Sequence, residues 1–234
     1  MIGIVTGMAF EAQAVARAAR RRGLPAPPVA VGAGRAAAVD AAEDLVARGA
    51  RGLISLGFCG GLAPGLAPGT AVLASRVVAA DHAHVPTDHD LDAARRALVS
   101  VAGLTCRPLA HSDAPVSTAD AKGRLAGRTG AAAVDMESDG VAAVAAGAGL
   151  PWLALRLVLD DAQEALPPAA LAGFTPGRGT AVGPVMAALV GRPQDMPALM
   201  ALARRRSAVT RALVTVCMAG LPDFGLSRGR PAEA

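Results

Sequence analysis

Short apolar runs alternate with stretches of helical composition along most of the chain. The apolar runs that predict strands are residues 1–5, 29–31, 52–56, 71–80, 104–110, 131–134 and 152–159. This repeated β and α alternation predicts an α/β fold: a single three-layer α/β/α domain with a twisted, mixed, mostly parallel central sheet. We expect the domain to cover residues 1–224, and residues 225–234 to form a flexible C-terminal tail.

The stretch 131–161 has the clearest pattern. It combines a strand that ends just before Glu137, a helix over residues 138–149, and a second strand that ends at Asp160. A βαβ unit places the ends of its two parallel strands side by side, and open α/β sheets bind ligands at those ends. The stretch therefore predicts one cleft that carries both Glu137 and Asp160.

Three further segments could contribute to such a cleft. Glu11 falls in the first turn of a predicted helix over residues 9–22, where a carboxylate is usually a favourable charge. Residues 32–35 (GAGR) form a glycine turn into a helix, a potential anion site that lacks the GxGxxG spacing. Residues 57–62 (GFCGGL) follow a buried strand, and their glycines indicate either a tight turn or backbone amides that approach a ligand.

Residues 81–90 hold three of the four histidines. A catalytic zinc needs three protein ligands in fixed geometry plus an open position, and no second cluster along the chain supports one. We therefore predict no metal site and interpret the segment as a polar rim loop, with Asp90 capping a helix over residues 91–102.

Composition narrows the class of partner. The chain is 53% hydrophobic but only 2% aromatic, so it lacks the stacking platforms of single-strand nucleic-acid binders. Its net charge is +4, and Lys122 is the only lysine. Arginine patches at residues 20–22 and 204–206 indicate solvated helix ends or, alternatively, contact with anionic lipid headgroups.

The cellular setting follows from what the sequence lacks. Three cysteines without metal-like spacing indicate a reduced, cytoplasmic protein. No stretch reaches about 18 uncharged apolar residues, so we expect no transmembrane helix. The N-terminus predicts a first strand and not a signal peptide.

Four pieces in register resemble a known family. They are residues 8–11 after the first strand, residues 57–62 after the third, residues 134–138 (VDMES) and residues 156–160 (RLVLD). Together they look like the purine and uridine phosphorylase superfamily, which includes the methylthioadenosine/adenosylhomocysteine nucleosidases, over residues 1–190. Within it, the short length, few aromatics and residues 81–90 resemble the hopanoid-associated phosphorylases, which are linked to removal of adenine from adenosylhopane.

The resemblance implies a role for each matching residue. Asp160 corresponds to the catalytic acid at purine N7, and Glu11 to the acid that positions water in the nucleosidases. Met136 and Glu137 correspond to the ribose-binding pair. The base would be read by the segment that contains Asp113, Pro115 and Val116. The phosphate or water pocket would be formed by Gly57, Phe58, Gly60, Gly61 and Arg35.

The implied reaction is cleavage of the N-glycosidic bond of an adenine nucleoside, with phosphate or water as nucleophile. Phosphate would then be a co-substrate, and no other cofactor is expected. The resemblance also implies a homo-oligomer and a lipid-linked substrate. The alternative interpretation of the arginine patches adds peripheral contact with the inner membrane. The alternatives are a methylthioadenosine/adenosylhomocysteine nucleosidase and a non-catalytic adenosine-binding protein.

The sequence departs from the family at two positions and lacks an evident aromatic lid. Leu159 stands where the nucleosidases place a serine, and Phe58 where a small or hydroxyl residue is common. Phe174 is the only candidate for the family's aromatic lid. An aromatic-poor rim is consistent with a bulky aliphatic substituent at C5′.

Overall fold

The computed structural model describes residues 1–172, 174–175, 179–180 and 182–226, and of residues 174–182 only the backbone. Phe174 as a lid and most of the predicted tail, residues 227–234, therefore lie outside the described side chains. The strands are β1 Gly3–Thr6, β2 Val29–Val31, β3 Leu53–Gly61, β4 Ala71–Val78, β5 Ala83–His84, β6 Thr105–His111, β7 Ala133–Asp135, β8 Trp152–Asp160, β9 Phe174–Thr175 and β10 Gly179–Thr180. The helices are α1 Ala9–Arg21, α2 Arg35–Ala47, α3 Asp88–Ala97, α4 Ala119–Thr129, α5 Ser138–Gly147, α6 Pro168–Ala172, α7 Val182–Gly191 and α8 Met196–Gly220.

The central sheet runs in the order β2-β1-β3-β7-β6-β4-β5, and β8 pairs with both β3 and β4. The strands β3, β8, β4, β6 and β7 consequently form a closed ring of pairings. Most pairings are parallel, while β3–β7, β4–β5 and β4–β8 are antiparallel. The predicted mixed, mostly parallel sheet is thus confirmed.

Two apolar layers lie on opposite faces of this sheet. One packs the sheet against α1, α3 and α8, and the other packs it against α2 and α5. Within β8, Leu153 and Leu155 face the first layer, whereas Ala154 and Val158 face the second. Burial on both faces explains why β8 is a continuous apolar run in the sequence. The three-layer α/β/α architecture is confirmed, and the limits of the domain stay a prediction.

The predicted pairing of the central βαβ unit is wrong. Strand β7 pairs with β3 and β6, and β8 pairs with β3 and β4, so the two strands are not neighbours. Strand β3 lies between them, and its register shifts between Cys59 and Gly60. At this bulge Gly60 pairs with Val134 on one side and with Asp160 on the other. The strand ends meet across Gly60 and not directly.

Two local predictions also need correction. Residues 57–61 belong to β3 and do not form a turn, because glycine lets the strand continue through the bulge. Helix α3 is capped by Thr87 and not by Asp90. The Thr87 hydroxyl oxygen accepts a hydrogen bond from the Asp90 amide at 3.1 Å, so the helix begins at Asp88.

Candidate active site

A cavity of about 700 Å³ opens at the ends of β1, β3, β7 and β8. Eight residues predicted for the site line it: Glu11, Phe58, Gly60, Pro115, Val116, Met136, Glu137 and Asp160. We call Glu11, Glu137 and Asp160 the carboxylate side of the cavity. Each of these three residues is at most 9% exposed, so the cavity presents carboxyl groups that are largely withdrawn from water.

Glu11 is held by two backbone amides. Its Oε2 accepts from the Met8 N–H at 2.9 Å, and its Oε1 accepts from the Phe58 N–H at 2.8 Å. Burial raises the pKa of Glu11 from 4.5 to about 7, with a further rise from Glu137, despite the opposing effects of Arg156 and the two amides. A carboxyl group of this pKa exchanges its proton near neutral pH.

Gly57 makes room for this arrangement. A methyl group at Gly57 would lie 2.7 Å from Arg156 Nη1 and 2.8 Å from Glu11 Oε1, closer than real Cβ contacts allow. Gly57 does not itself line the cavity. Its absent side chain lets Glu11 and Arg156 pack against the backbone of β3, which is a physical reason for glycine at this point.

Arg156 organises the carboxylates from behind. It projects from the apolar strand β8, is 1% exposed, and contacts Asp135 at 2.6 Å and Glu137 at 3.4 Å. Its Nε also donates to Ser138 Oγ at 3.1 Å. The guanidinium of Arg156 therefore contacts Asp135 and Glu137 directly and interacts with Glu11 electrostatically. Three carboxyl groups share one buried positive charge, which favours protonation of one of them.

Glu137 is oriented by two donors. Its Oε1 accepts from the Gly34 N–H at 2.9 Å, and Arg156 Nη1 donates to Oε2 at 3.4 Å. Burial raises the pKa of Glu137, and the nearby Arg156 opposes this rise. The glycine turn at residues 32–35, which was predicted as an anion site, therefore binds an internal carboxylate.

Asp160 is paired with the single lysine of the chain. Lys122, fully buried on α4, donates through Nζ to Asp160 Oδ2, to the Asp161 carbonyl at 2.6 Å and to the Glu164 carbonyl at 2.9 Å. Burial raises the pKa of Asp160, and Lys122 opposes the rise. The structure thus places a satisfied ammonium group directly against one oxygen of Asp160.

Four predicted site residues do not line the cavity: Arg35, Gly57, Gly61 and Asp113. Arg35 forms an ion pair with Asp139 at 2.6 Å. The side chain of Asp113 is 88% exposed and pairs with His111, although Ala114, Pro115 and Val116 after it do line the cavity. That this segment binds the base through its backbone stays a prediction.

The opposite part of the cavity was not predicted from the sequence. Helices α6, α7 and α8 contribute what we call the apolar side, represented by Leu171, Met186, Leu189, Met196, Leu199 and Met200. Lys122 and Arg156 were also missed as site residues. A signal existed for both, because each is an isolated cation, one the only lysine of the chain and the other inside an apolar strand.

This fold, with buried carboxylates around one cavity, defines an enzyme of the nucleoside phosphorylase and nucleosidase class. The chain belongs to the phosphorylase superfamily, whose family model matches residues 1–190. The nucleosidases of this superfamily need no cofactor, in agreement with the prediction. Comparison with curated proteins gave no match.

Solved structures share the fold of this chain. Futalosine hydrolase of Helicobacter pylori is 21% identical with a TM-score of 0.62, over 70% of this chain and 85% of that one. The methylthioadenosine/adenosylhomocysteine nucleosidase of H. pylori gives the same identity and score, over 70% and 86%. The corresponding nucleosidase of Colwellia psychrerythraea, in complex with adenine, is 17% identical with a TM-score of 0.65, over 94% of both chains. At these identities the likeness shows the fold.

Proposed function

We propose that this protein hydrolyses the N-glycosidic bond of an adenine nucleoside with a bulky aliphatic substituent at C5′, with adenosylhopane as the candidate substrate. The observation that carries the proposal is that Glu11, Glu137 and Asp160 line a single cavity. Hydrolysis of this bond needs an acid for the leaving base, a base for the water and an anchor for the sugar. Three buried carboxyl groups can divide these tasks.

Asp160 acts as the acid. As the bond from C1′ to N9 breaks, its electrons move into the purine, and Asp160 transfers a proton to N7 so that neutral adenine leaves. Burial raises the pKa of Asp160 above its ordinary value, which brings the carboxyl group closer to the range of a general acid. Lys122 then stabilises the carboxylate that remains, because its ammonium group already contacts Oδ2. Lys122 is a positioning residue in this scheme.

Glu11 acts as the base. The attacking water forms its bond to C1′ and gives one proton to Glu11, whose pKa of about 7 suits a proton acceptor at neutral pH. The amides of Met8 and Phe58 fix the carboxylate in place. Glu137 holds the ribose, since a carboxylate can accept hydrogen bonds from both vicinal hydroxyls, and Met136 packs beside it.

Water is favoured over phosphate by the charges around the cavity. A phosphate dianion would be repelled by Glu11 whenever that group is ionised. Arg156 is already surrounded by Asp135 and Glu137. Arg35, the arginine first considered for phosphate, is paired with Asp139 and lies outside the cavity lining. Among the described residues, Arg206 on α8 is the cavity-lining arginine, and its guanidinium stacks over Phe10 at 5.4 Å.

The apolar side supports an aliphatic C5′ substituent. The related nucleosidase structures contain adenine or adenosine-like inhibitors, one of them with a butylthio group. In this chain the cavity has room of about 700 Å³ and a wall of leucine and methionine. Unbranched methionine side chains adapt to irregular apolar ligands, so a polycyclic or long-chain substituent fits the chemistry of this wall.

Membrane contact would bring such a substrate to the cavity. Met186, Met196 and Met200 line the cavity and are 54%, 44% and 49% exposed, and Val190 on α7 is 86% exposed. No described helix has both the length and the apolarity to span a bilayer. We propose that the face with these exposed apolar side chains binds peripherally to the cytoplasmic side of a membrane. Flotation with anionic vesicles would test this binding. Homo-oligomerisation is likewise proposed and is testable by light scattering.

The decisive experiment measures products. Adenosine, methylthioadenosine and adenosylhopane are incubated with the enzyme, with and without phosphate, and adenine and the sugar product are identified by mass. We expect adenine and free sugar without phosphate, with the highest kcat/KM for adenosylhopane. A sugar 1-phosphate as the main product would overturn water as nucleophile. If the protein binds these nucleosides without releasing adenine, it is an adenosine-binding protein and not an enzyme.

A further inference from the structure

A cluster of metal-ligating side chains lies outside the cavity. His82 and His84, from the β4–β5 hairpin, meet Asp139 from the first turn of α5, and their candidate ligand atoms all lie within 4.8 Å of one another. Asp139 Oδ1 is 2.9 Å from His82 Nε2 and 3.6 Å from His84 Nε2. Ligands about 2.1 Å from a tetrahedral Zn²⁺ are about 3.4 Å apart. The 3.6 Å separation fits this value directly, and the 2.9 Å contact, a hydrogen bond in this structure, would open by about 0.5 Å around an ion.

The structure supplies the residue that the sequence did not. The histidine segment alone gave too few ligands for a metal, and no second cluster was visible along the chain. Asp139 follows more than fifty positions later and is brought to the histidines by the packing of α5 against β5. It is fully buried, and an aspartate is almost never fully buried unless its charge is paired.

The orientation of each imidazole also suits a ligand. His82 Nδ1 contacts the Asp81 carboxylate at 2.7 Å, which leaves Nε2 directed at Asp139. Carboxylate contact to the distal nitrogen is the usual arrangement of a metal-bound histidine. His84 Nε2 is buried and has no hydrogen-bond partner among the described residues. A buried nitrogen without a partner is costly unless something binds it.

The charges leave one carboxylate oxygen for a cation. Arg35 Nε donates to Asp139 Oδ2 at 2.6 Å and leaves Oδ1 facing the two histidines. The two imidazoles suit Zn²⁺, Co²⁺ or Ni²⁺ better than Mg²⁺ or Ca²⁺, and Zn²⁺ also accepts a carboxylate oxygen. None of the three residues lines the cavity, so an ion here would not take part in the reaction.

We propose that His82, His84 and Asp139 are the three protein ligands of a divalent first-row transition metal, with Zn²⁺ as the natural candidate and water in the fourth position. The ion ties the β4–β5 hairpin at the sheet edge to the first turn of α5. That turn directly follows Glu137, so the site stabilises the framework of the carboxylate side without contact to substrate.

The test is metal binding by the full chain after chelator treatment. Zn²⁺ titration by calorimetry should give one equivalent, and Co²⁺ should give the visible absorption of a low-symmetry site. We expect His82→Ala and His84→Ala each to weaken Zn²⁺ binding at least tenfold. His89→Ala is the matched control, because His89 is an exposed histidine of the same segment outside the cluster, and it should bind within twofold of the wild type.

Stability provides the second readout. Saturating Zn²⁺ should raise the Tm of the wild type and of His89→Ala but not of His84→Ala. Far-UV circular dichroism confirms that each variant is folded, and the exposed position of His82 makes its variant safe in this respect. Equal Zn²⁺ affinity in all three variants, or no binding by the wild type, would overturn the site. Neither result depends on nucleoside cleavage.

Discussion

The two sides of the cavity are built on different principles. On the carboxylate side, Glu11 and Glu137 each accept a backbone amide bond of 2.9 Å or less, and Asp160 contacts a buried ammonium group. On the apolar side, three of the lining methionines are about half exposed. The comparison indicates that the groups proposed for chemistry are fixed, whereas the groups proposed for substrate choice can rearrange.

The difference has an energetic origin. Buried carboxyl groups lose hydration, and only specific donors offset that loss, so their positions tolerate little change. An apolar wall has no such directional requirement, and methionine adds conformational freedom. Substitutions on the carboxylate side should therefore affect every substrate, and substitutions on the apolar side should affect only substrates that reach it.

The largest effect is expected for Asp160→Asn. Loss of a general acid typically costs ~10²–10⁴-fold in rate, and the proposal assigns the other two carboxyl groups, Glu11 and Glu137, to the water and the ribose. We expect kcat for adenine release to fall by about 10³-fold while nucleoside binding persists. Chromatography of adenine in samples quenched at fixed times measures kcat, and equilibrium dialysis measures nucleoside binding.

Asp160→Asn also leaves the Lys122 ammonium buried without its carboxylate partner, which should destabilise the fold. The matched control is Lys122→Met combined with Asp160→Asn. This pair should recover stability to urea without recovering activity. If the double variant regained turnover, Asp160 would be a structural partner of Lys122 and not the acid.

Glu11→Gln is expected to have the next largest effect, a loss of ~10²–10³-fold in phosphate-free buffer. The base must be ionised, so wild-type kcat/KM should fall as pH decreases through about 7, the pKa of Glu11. The variant should lack this limb of the pH profile. A variant that retains the limb near pH 7 would show that another group is the base.

Glu11→Gln should also change how the free energy of unfolding depends on pH. Folded Glu11 releases its proton at about 7, whereas 4.5 is its ordinary pKa. The unfolded chain therefore loses the proton first as pH rises, and the native state loses about 3 kcal/mol of stability between these values. Glu11→Gln lacks this titration. Its free energy of unfolding relative to wild type should therefore rise from pH 4.5 to pH 8, which urea denaturation measures, and parallel curves would contradict the buried pKa.

These residues also show what the sequence can and cannot predict. Strand β8 and helix α1 were predicted to within one or two residues, because their patterns are local. Glu137 and Asp160 were placed in one site because strand ends converge. In the structure, however, the two strand ends meet across Gly60 at the bulge in β3, which no periodicity reveals. The partner of Lys122 lies 38 positions away, and that pairing depends on tertiary packing alone.

Glu137→Gln should have a smaller and more selective effect. The amide retains the shape of the side chain but loses one charge-assisted hydrogen bond to the ribose hydroxyls, which corresponds to about 10- to 100-fold in kcat/KM. Ribosides should lose this factor, whereas 2′-deoxyribosides should lose much less. Equal losses on paired adenosine and 2′-deoxyadenosine assays would mean that Glu137 serves only to neutralise Arg156.

The smallest effect is expected on the apolar side, from Met200→Ser. Met200 lines the cavity and is 49% exposed, so the substitution removes apolar contact with little risk to the fold. Loss of a few methylene contacts should lower kcat/KM about three- to tenfold for a nucleoside with a long C5′ alkyl group. Adenosine, which does not extend to this wall, should be cleaved at the wild-type rate.

Met218→Ser is the matched control, since Met218 is an exposed methionine on the same helix outside the cavity lining. It should leave kcat/KM unchanged for both substrates. A loss on Met200→Ser that is equal for both substrates would mean that the apolar side supports the fold and does not select the substituent.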